Sequence, residues 1–147
     1  MTIGKLYLVP TPIGNLEDIT IRAIKTLLSV DGIVCEDTRK TGLLLKLIQE
    51  KYAFLASVDK ERARMLPYHE HNEQQRIPEI INALKNGLTI AMVTDAGTPG
   101  ISDPGFRLVR ECIAQGIMVE SLPGPTAVIS ALVTSGLPTD KFLFLGY

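Results

Sequence analysis

The chain has 147 residues, 46% of them hydrophobic and 21% charged, with a formal net charge of −1. That length suits one domain around a single continuous core, and the composition excludes a disordered chain. The near-zero charge gives no electrostatic footprint for nucleic acid or an anionic membrane, so charge argues for neither. No apolar stretch reaches the roughly 18 residues of a membrane span. The amino terminus lacks the layout of a signal peptide and reads as a first strand. Cys35 and Cys112 read as reduced, buried thiols, and a cytoplasmic location is expected.

In chain order, Leu6–Val9 is the first expected strand, followed by a loop from Pro10 to Asp18. Ile21, Ile24, Leu27 and Leu28 then carry the three-and-four spacing of a helix over Thr20–Val30. Gly32–Cys35 is a second strand, and Leu43, Leu44, Leu47 and Ile48 mark a second helix with Thr38 as its expected N-cap. Tyr52–Val58 is the expected place of a short third strand, whereas Asp59–Asn72 shows no sustained period. Asn72 and Gln75 fit a capping box for a helix that contains Pro78 and stops at Gly87. Leu88–Thr94 is an apolar strand, and a helix starting near Pro104 runs to Gly116. Ile117–Leu122 is another strand, Pro123-Gly-Pro125 opens a helix to Gly136, and Phe142–Leu145 begins a last strand.

Alternating strands and helices predict an α/β fold: a mostly parallel sheet of about five strands with helices on both faces. A terminal apolar strand further predicts that the chain is cut from a longer protein, because domain boundaries favour polar linkers.

Six of the nine prolines follow three of the expected strands: Pro10 and Pro12, Pro99 and Pro104, Pro123 and Pro125. Each pair comes with glycine, most densely in Asp95-Ala-Gly-Thr-Pro-Gly-Ile-Ser-Asp-Pro-Gly105. Glycine lets backbone polar groups approach a ligand and proline fixes the path between them. Strand-to-helix loops of a parallel sheet emerge at its carboxyl edge, where open α/β sheets bind small molecules. Glu36-Asp-Thr-Arg39 joins the same edge from the second strand.

A dinucleotide site would need three glycines after the first strand, and Pro10-Thr-Pro-Ile-Gly14-Asn has one. The phosphate-loop lysine motif and the nucleophile-elbow serine are absent too. A nucleoside-type ligand without phosphate fits better, with Glu36 and Asp95 available to ribose hydroxyls or a cationic amine. His69-Glu-His71 gives two metal ligands only on an extended segment, and no further cluster completes the set, so no metal is expected.

Leu8–Asp18, Glu36–Arg39, His69-x-His-Asn72, Asp95–Gly105, Leu122–Ala127 and Gly136–Phe142 together resemble the rRNA small subunit methyltransferase I family, within the tetrapyrrole methylase class. The resemblance spans essentially the whole chain and implies that residues 1–147 are the tetrapyrrole-methylase-like amino-terminal domain of a two-domain protein, with S-adenosylmethionine as cofactor and a homodimer as the assembly. It also implies methylation of a cytidine ribose 2′-hydroxyl in 16S rRNA of the small ribosomal subunit. Carried over by motif, the donor-binding residues are Pro12, Gly14, Asp95, Gly97, Gly100, Ile101, Ser102, Asp103, Pro123, Gly124, Thr126 and Ala127. Asn15, Arg39 and Asn72 fall on the substrate side, and Glu36, Asp37 and His69 are the unranked candidates for a base. Two other readings stay open: a tetrapyrrole or other small-molecule methyltransferase on the same scaffold, and a non-catalytic nucleotide-binding or dimerisation module.

Overall fold

The computed structural model describes residues 3–55 and 62–146. Its elements are β1 (Lys5–Leu8), α1 (Ile21–Ser29), β2 (Gly32–Cys35), α2 (Thr38–Tyr52), β3 (Arg64–Pro67), α3 (Glu73–Lys85), β4 (Ile90–Val93), α4 (Phe106–Ala114), β5 (Met118–Ser121) and α5 (Ala127–Thr134). The five strands form one sheet in the order β3-β2-β4-β1-β5, and all four pairings are parallel.

Strand order accounts for where the helices lie. The chain travels one way across the sheet from β1 to β2 to β3, then reverses through β4 to β5. Right-handed crossovers place the helices of opposite travel on opposite faces. Accordingly Ala23, Ile24 and Leu27 of α1 and Ile48 of α2 pack with Ile33, Cys35, Ala91 and Val93. Ile80, Ile81 and Leu84 of α3 and Leu108 and Cys112 of α4 pack with Leu6, Val34, Ile90 and Met92 on the other face. Residues of β2 and β4 alternate between the two clusters, and every one of them is buried. Such strands read as unbroken apolar runs, as a sheet covered on both sides requires.

Local chemistry sets the helix ends. The Thr20 side chain accepts from the Ala23 N–H and caps α1. Asp37 takes that role for α2 by accepting from the Arg39 N–H at 2.8 Å, so the cap lies one residue before the expected Thr38. Asn72 occupies the cap position of α3 without a side-chain capping bond. Its Oδ1 accepts from the His69 N–H and its Nδ2 donates to the Pro67 carbonyl, so the amide stitches the preceding loop instead of closing a capping box. Gly87 ends α3 at φ +90°, as a C′ glycine should. Pro123 and Pro125 lie ahead of α5, whose cap is Thr126, so neither proline enters its first turn.

Two expected strands are corrected. Helix α2 continues to Tyr52 and a 3₁₀ turn follows over Ala53–Leu55, while 56–58 lie outside the described residues. The third strand is instead Arg64–Pro67, inside the segment that showed no period. It is an edge strand with only Leu66 buried, so it carries little apolar signal. Phe142–Leu145 forms no strand and remains exposed.

Cys35 and Cys112 are free and buried, and burial pushes the Cys112 thiol up to about 11. Among the described residues no helix is long and apolar enough to cross a membrane. The two-faced core makes a direct prediction: Leu84→Ala, at a fully buried site, should lower unfolding free energy by about 2–5 kcal/mol in urea titrations. A loss below about 1 kcal/mol would contradict the packing described.

Candidate functional site

At the carboxyl edge the loops after β1 and β4 leave for opposite faces, and a bridge holds them together. The Thr11 N–H donates to the Gly97 carbonyl at 2.9 Å and the Gly97 N–H returns to the Thr11 carbonyl at 3.0 Å. The buried Thr11 hydroxyl also donates to the Thr94 carbonyl at 3.1 Å. Gly97 has φ +84°, a conformation that side chains with a Cβ rarely adopt. The loop after β5 is tied to both neighbours. Thr98 Oγ1 donates to the Pro125 carbonyl at 2.9 Å, and a Cβ on Gly124 would stand 2.7 Å from Pro10 Cβ. All three glycine- and proline-bearing loops therefore gather on one rim, as the sequence predicts.

Two cavities flank the bridge. The larger, about 450 Å³, is lined by Ile13, Ala96, Gly97, Thr98, Ile101, Ser102, Asp103, Thr126, Ala127, Val128, Phe144 and Gly146. Ser102 sits there at φ +54°, the one non-glycine residue with positive φ among those described, and such backbone strain is concentrated at ligand sites. The smaller, about 220 Å³, lies toward α2 and is lined by Thr11, Pro12, Gly14, Asn15, Leu16, Lys40, Thr41, Leu44, Thr94 and Asp95.

The expected donor residues thus divide. Gly97, Ile101, Ser102, Asp103, Thr126 and Ala127 line the larger cavity, whereas Pro12, Gly14 and Asp95 line the smaller one beside Asn15. Gly100, Pro123 and Gly124 line neither; Gly124 makes its contribution by close packing on Pro10. Arg39 is 89% exposed and pairs with Asp37 at 2.8 Å, away from both cavities. Asn72 is spent on its own loop, as above. His69 follows the edge strand β3 and lines neither cavity; its ring meets that of His71 edge-on, with centroids 5.9 Å apart. Among the described residues no cluster of three metal-ligating side chains occurs.

Electrostatics separates the two carboxylate candidates for a base. The Arg39 guanidinium and backbone N–H hold the Asp37 carboxyl far below the usual range, which leaves it a poor proton acceptor. Glu36 behaves oppositely: burial, then the negative charges of Asp95 and Asp103, push its carboxyl up, against weaker opposition from the Asp95 N–H and Lys40. Burial also raises Asp103, with the Thr94 hydroxyl opposing and Asp95 assisting. Glu36 therefore feels one carboxylate from each cavity and has the raised basicity that acid–base work requires.

Lys40, which pairs with Asp95 through Oδ2, was not among the expected site residues. A signal was present nonetheless. Arg39 and Lys40 stand in the first turn of α2, which holds no acidic residue, and cations there oppose the helix dipole unless carboxylates answer them. A second ionic link, less accessible to sequence, lies beneath the rim. Buried Glu73 accepts from the Tyr68 hydroxyl at 3.2 Å and pairs with Arg107 Nε at 3.0 Å, tying the β3–α3 corner to α4.

The chain matches the family model described as Tetrapyrrole (Corrin/Porphyrin) Methylases over residues 5–143 and belongs to that family. A relative from Hydrogenobaculum sp. (strain Y04AAS1), named ribosomal RNA small subunit methyltransferase I, is 52% identical over 97% of this chain and 58% of its own length. The chain spans about half the length of the curated relatives it matches. Uroporphyrin-III-C-methyltransferase from Thermus thermophilus superimposes with TM-score 0.60 at 26% identity, covering 92% of this chain and 53% of that one. A structure of that Thermus thermophilus enzyme complexed with S-adenyl homocysteine gives TM-score 0.59 at 22% identity, covering 97% and 57%.

The raised Glu36 carboxyl has a consequence for stability. As pH climbs past its ordinary 4.5 the unfolded chain ionises first, so stability falls until the folded carboxyl ionises too and stays lowered above that pH. Glu36→Gln should therefore raise the melting temperature near neutral pH, with the gain shrinking as pH falls through the raised folded value and gone below about 4.5. A variant that melts lower than wild type at neutral pH would contradict the electrostatic reading.

Proposed function

We propose that this chain is the donor-binding half of an S-adenosylmethionine-dependent methyltransferase acting on the ribose 2′-hydroxyl of a cytidine in the decoding region of 16S rRNA. The observation that carries the reading is the interlocked rim, which walls a cavity of donor size with the Asp103 carboxylate on its lining. The 52% identical relative named for rRNA methylation favours RNA over the tetrapyrrole substrates of more distant members. Its place of action would be the small ribosomal subunit in the cytoplasm, in a homodimer.

The larger cavity fits the donor. Its volume lies in the range of small-molecule sites, and Ile13, Ile101, Val128 and Phe144 offer apolar walls with loop amides among them. Asp103 gives a carboxylate at the wall, suited to a cation. The bound donor supplies an electrophilic methyl on a positively charged sulfur. The protein's part is to align the hydroxyl, exclude water and take up a proton. Glu36 is the residue we assign to that proton, because its carboxylate is basic and couples to both cavities.

Three outcomes test this. S-adenosylhomocysteine at about 100 times its dissociation constant should stabilise the chain by roughly 2.7 kcal/mol, and Asp103→Ala should weaken its binding about tenfold by calorimetry. Wild-type affinity in that variant would remove the larger cavity from the site. In a methylation assay on small ribosomal subunits, Glu36→Gln should slow transfer by about 100-fold or more while leaving donor binding intact. Methyl incorporation on a base, mapped by ribose-methylation sequencing, would overturn the proposed reaction.

A further inference from the structure

We propose that the smaller cavity reads the acceptor's base: it takes a cytosine ring, with Asp95 accepting a hydrogen bond from the exocyclic amine. The inference rests on the methyltransferase reading and adds to it which chain groups choose the nucleotide.

Three observations converge on this cavity. First, the Thr11–Gly97 bridge partitions it from the larger one, and at about 220 Å³ against about 450 Å³ it offers room for one ring where the other has room for a nucleoside. Second, its lining combines Pro12, Leu16 and Leu44 as apolar walls for a flat ring with a polar edge. Third, the Asp95 carboxylate on that edge is half satisfied. Lys40 holds Oδ2, while Oδ1 is buried and has no hydrogen-bond partner. A buried anionic oxygen without a donor is costly, so the site is built for a ligand that brings an N–H or O–H.

Charge narrows the class. On this lining Lys40 carries the positive charge and is already paired with Asp95, whose negative field Glu36 feels as well. A phosphate would find no free cation on the lining, whereas a neutral donor group meets acceptors. Cytosine presents an amine at the edge where uracil presents a carbonyl oxygen, and a carboxylate accepts from the first and repels the second. Adenine also carries an amine, and its larger ring system leaves less of the cavity's roughly 220 Å³ for the attached sugar. Lys40 is 64% exposed, and ion pairs with so exposed a partner hold weakly, so the ammonium can yield as the ring enters.

The test follows backbone amide shifts of the ¹⁵N-labelled chain saturated with S-adenosylhomocysteine, titrated separately with cytidine, uridine and adenosine. Cytidine is expected to move the amides of Thr11, Asn15, Lys40 and Thr41, and uridine to bind about tenfold more weakly. Asp95→Asn should erase most of that preference, with amide shifts away from the rim unchanged, which shows the variant folded. Equal affinity for cytidine and uridine, or no cytidine response up to its solubility limit, would overturn the proposal. So would S-adenosylhomocysteine alone moving the smaller-cavity amides and blocking cytidine. A chain that ignores S-adenosylhomocysteine yet binds cytidine at these amides would sink the donor reading and keep the base site.

Discussion

Everything at the rim depends on two hydrogen bonds between Thr11 and Gly97. They join loops that leave adjacent parallel strands for opposite faces of the sheet, the place where an α/β sheet opens a crevice. Without the bridge the two loops would splay and the cavities would merge into an open groove. With it, each loop has one wall facing α2 and another facing α5. The bridge requires Gly97 at φ +84°, and the Gly124–Pro10 contact and the Thr98–Pro125 bond complete a rim of three mutually braced segments.

The rim also concentrates charge. Glu36, Asp95 and Asp103 come from the ends of two neighbouring strands and the loop beyond, and burial together with the Asp95 charge pushes the Glu36 and Asp103 carboxyls up. An arrangement of this kind lowers the stability of the free protein, and a ligand that brings positive charge or hydrogen-bond donors relieves it. Lys40 supplies part of the answer internally through its pair with Asp95. The geometry thus distributes roles: Asp37 is spent on capping α2 and holding Arg39, Asn72 on its own loop, and Glu36 is left with raised basicity, coupled to Asp95 and Asp103.

Much of this was legible in the sequence, and the rest was hidden for definite reasons. Strands β2 and β4 announced themselves because burial on both faces demands unbroken apolar runs such as Ile90–Val93. Edge strand β3 did not, since Arg64 and Met65 face solvent and only Leu66 is buried. Phe142–Leu145 looked like a strand by composition, but strand formation needs a pairing partner that no local pattern reveals. The convergence of the glycine- and proline-rich loops followed from parallel topology alone. Their division into two cavities did not, because the partition is a tertiary bridge between residues 86 positions apart in the chain. Lys40 was readable only as a cation in an unfavourable helix turn; its partner Asp95 required the fold.

The most direct test of the account is amide hydrogen exchange at Thr11 and Gly97, with and without S-adenosylhomocysteine. A braced rim that forms the donor site predicts slow exchange at both amides in the free chain and slower exchange with ligand bound. Exchange at the unprotected rate, or ligand protection that falls elsewhere on the sheet, would contradict it.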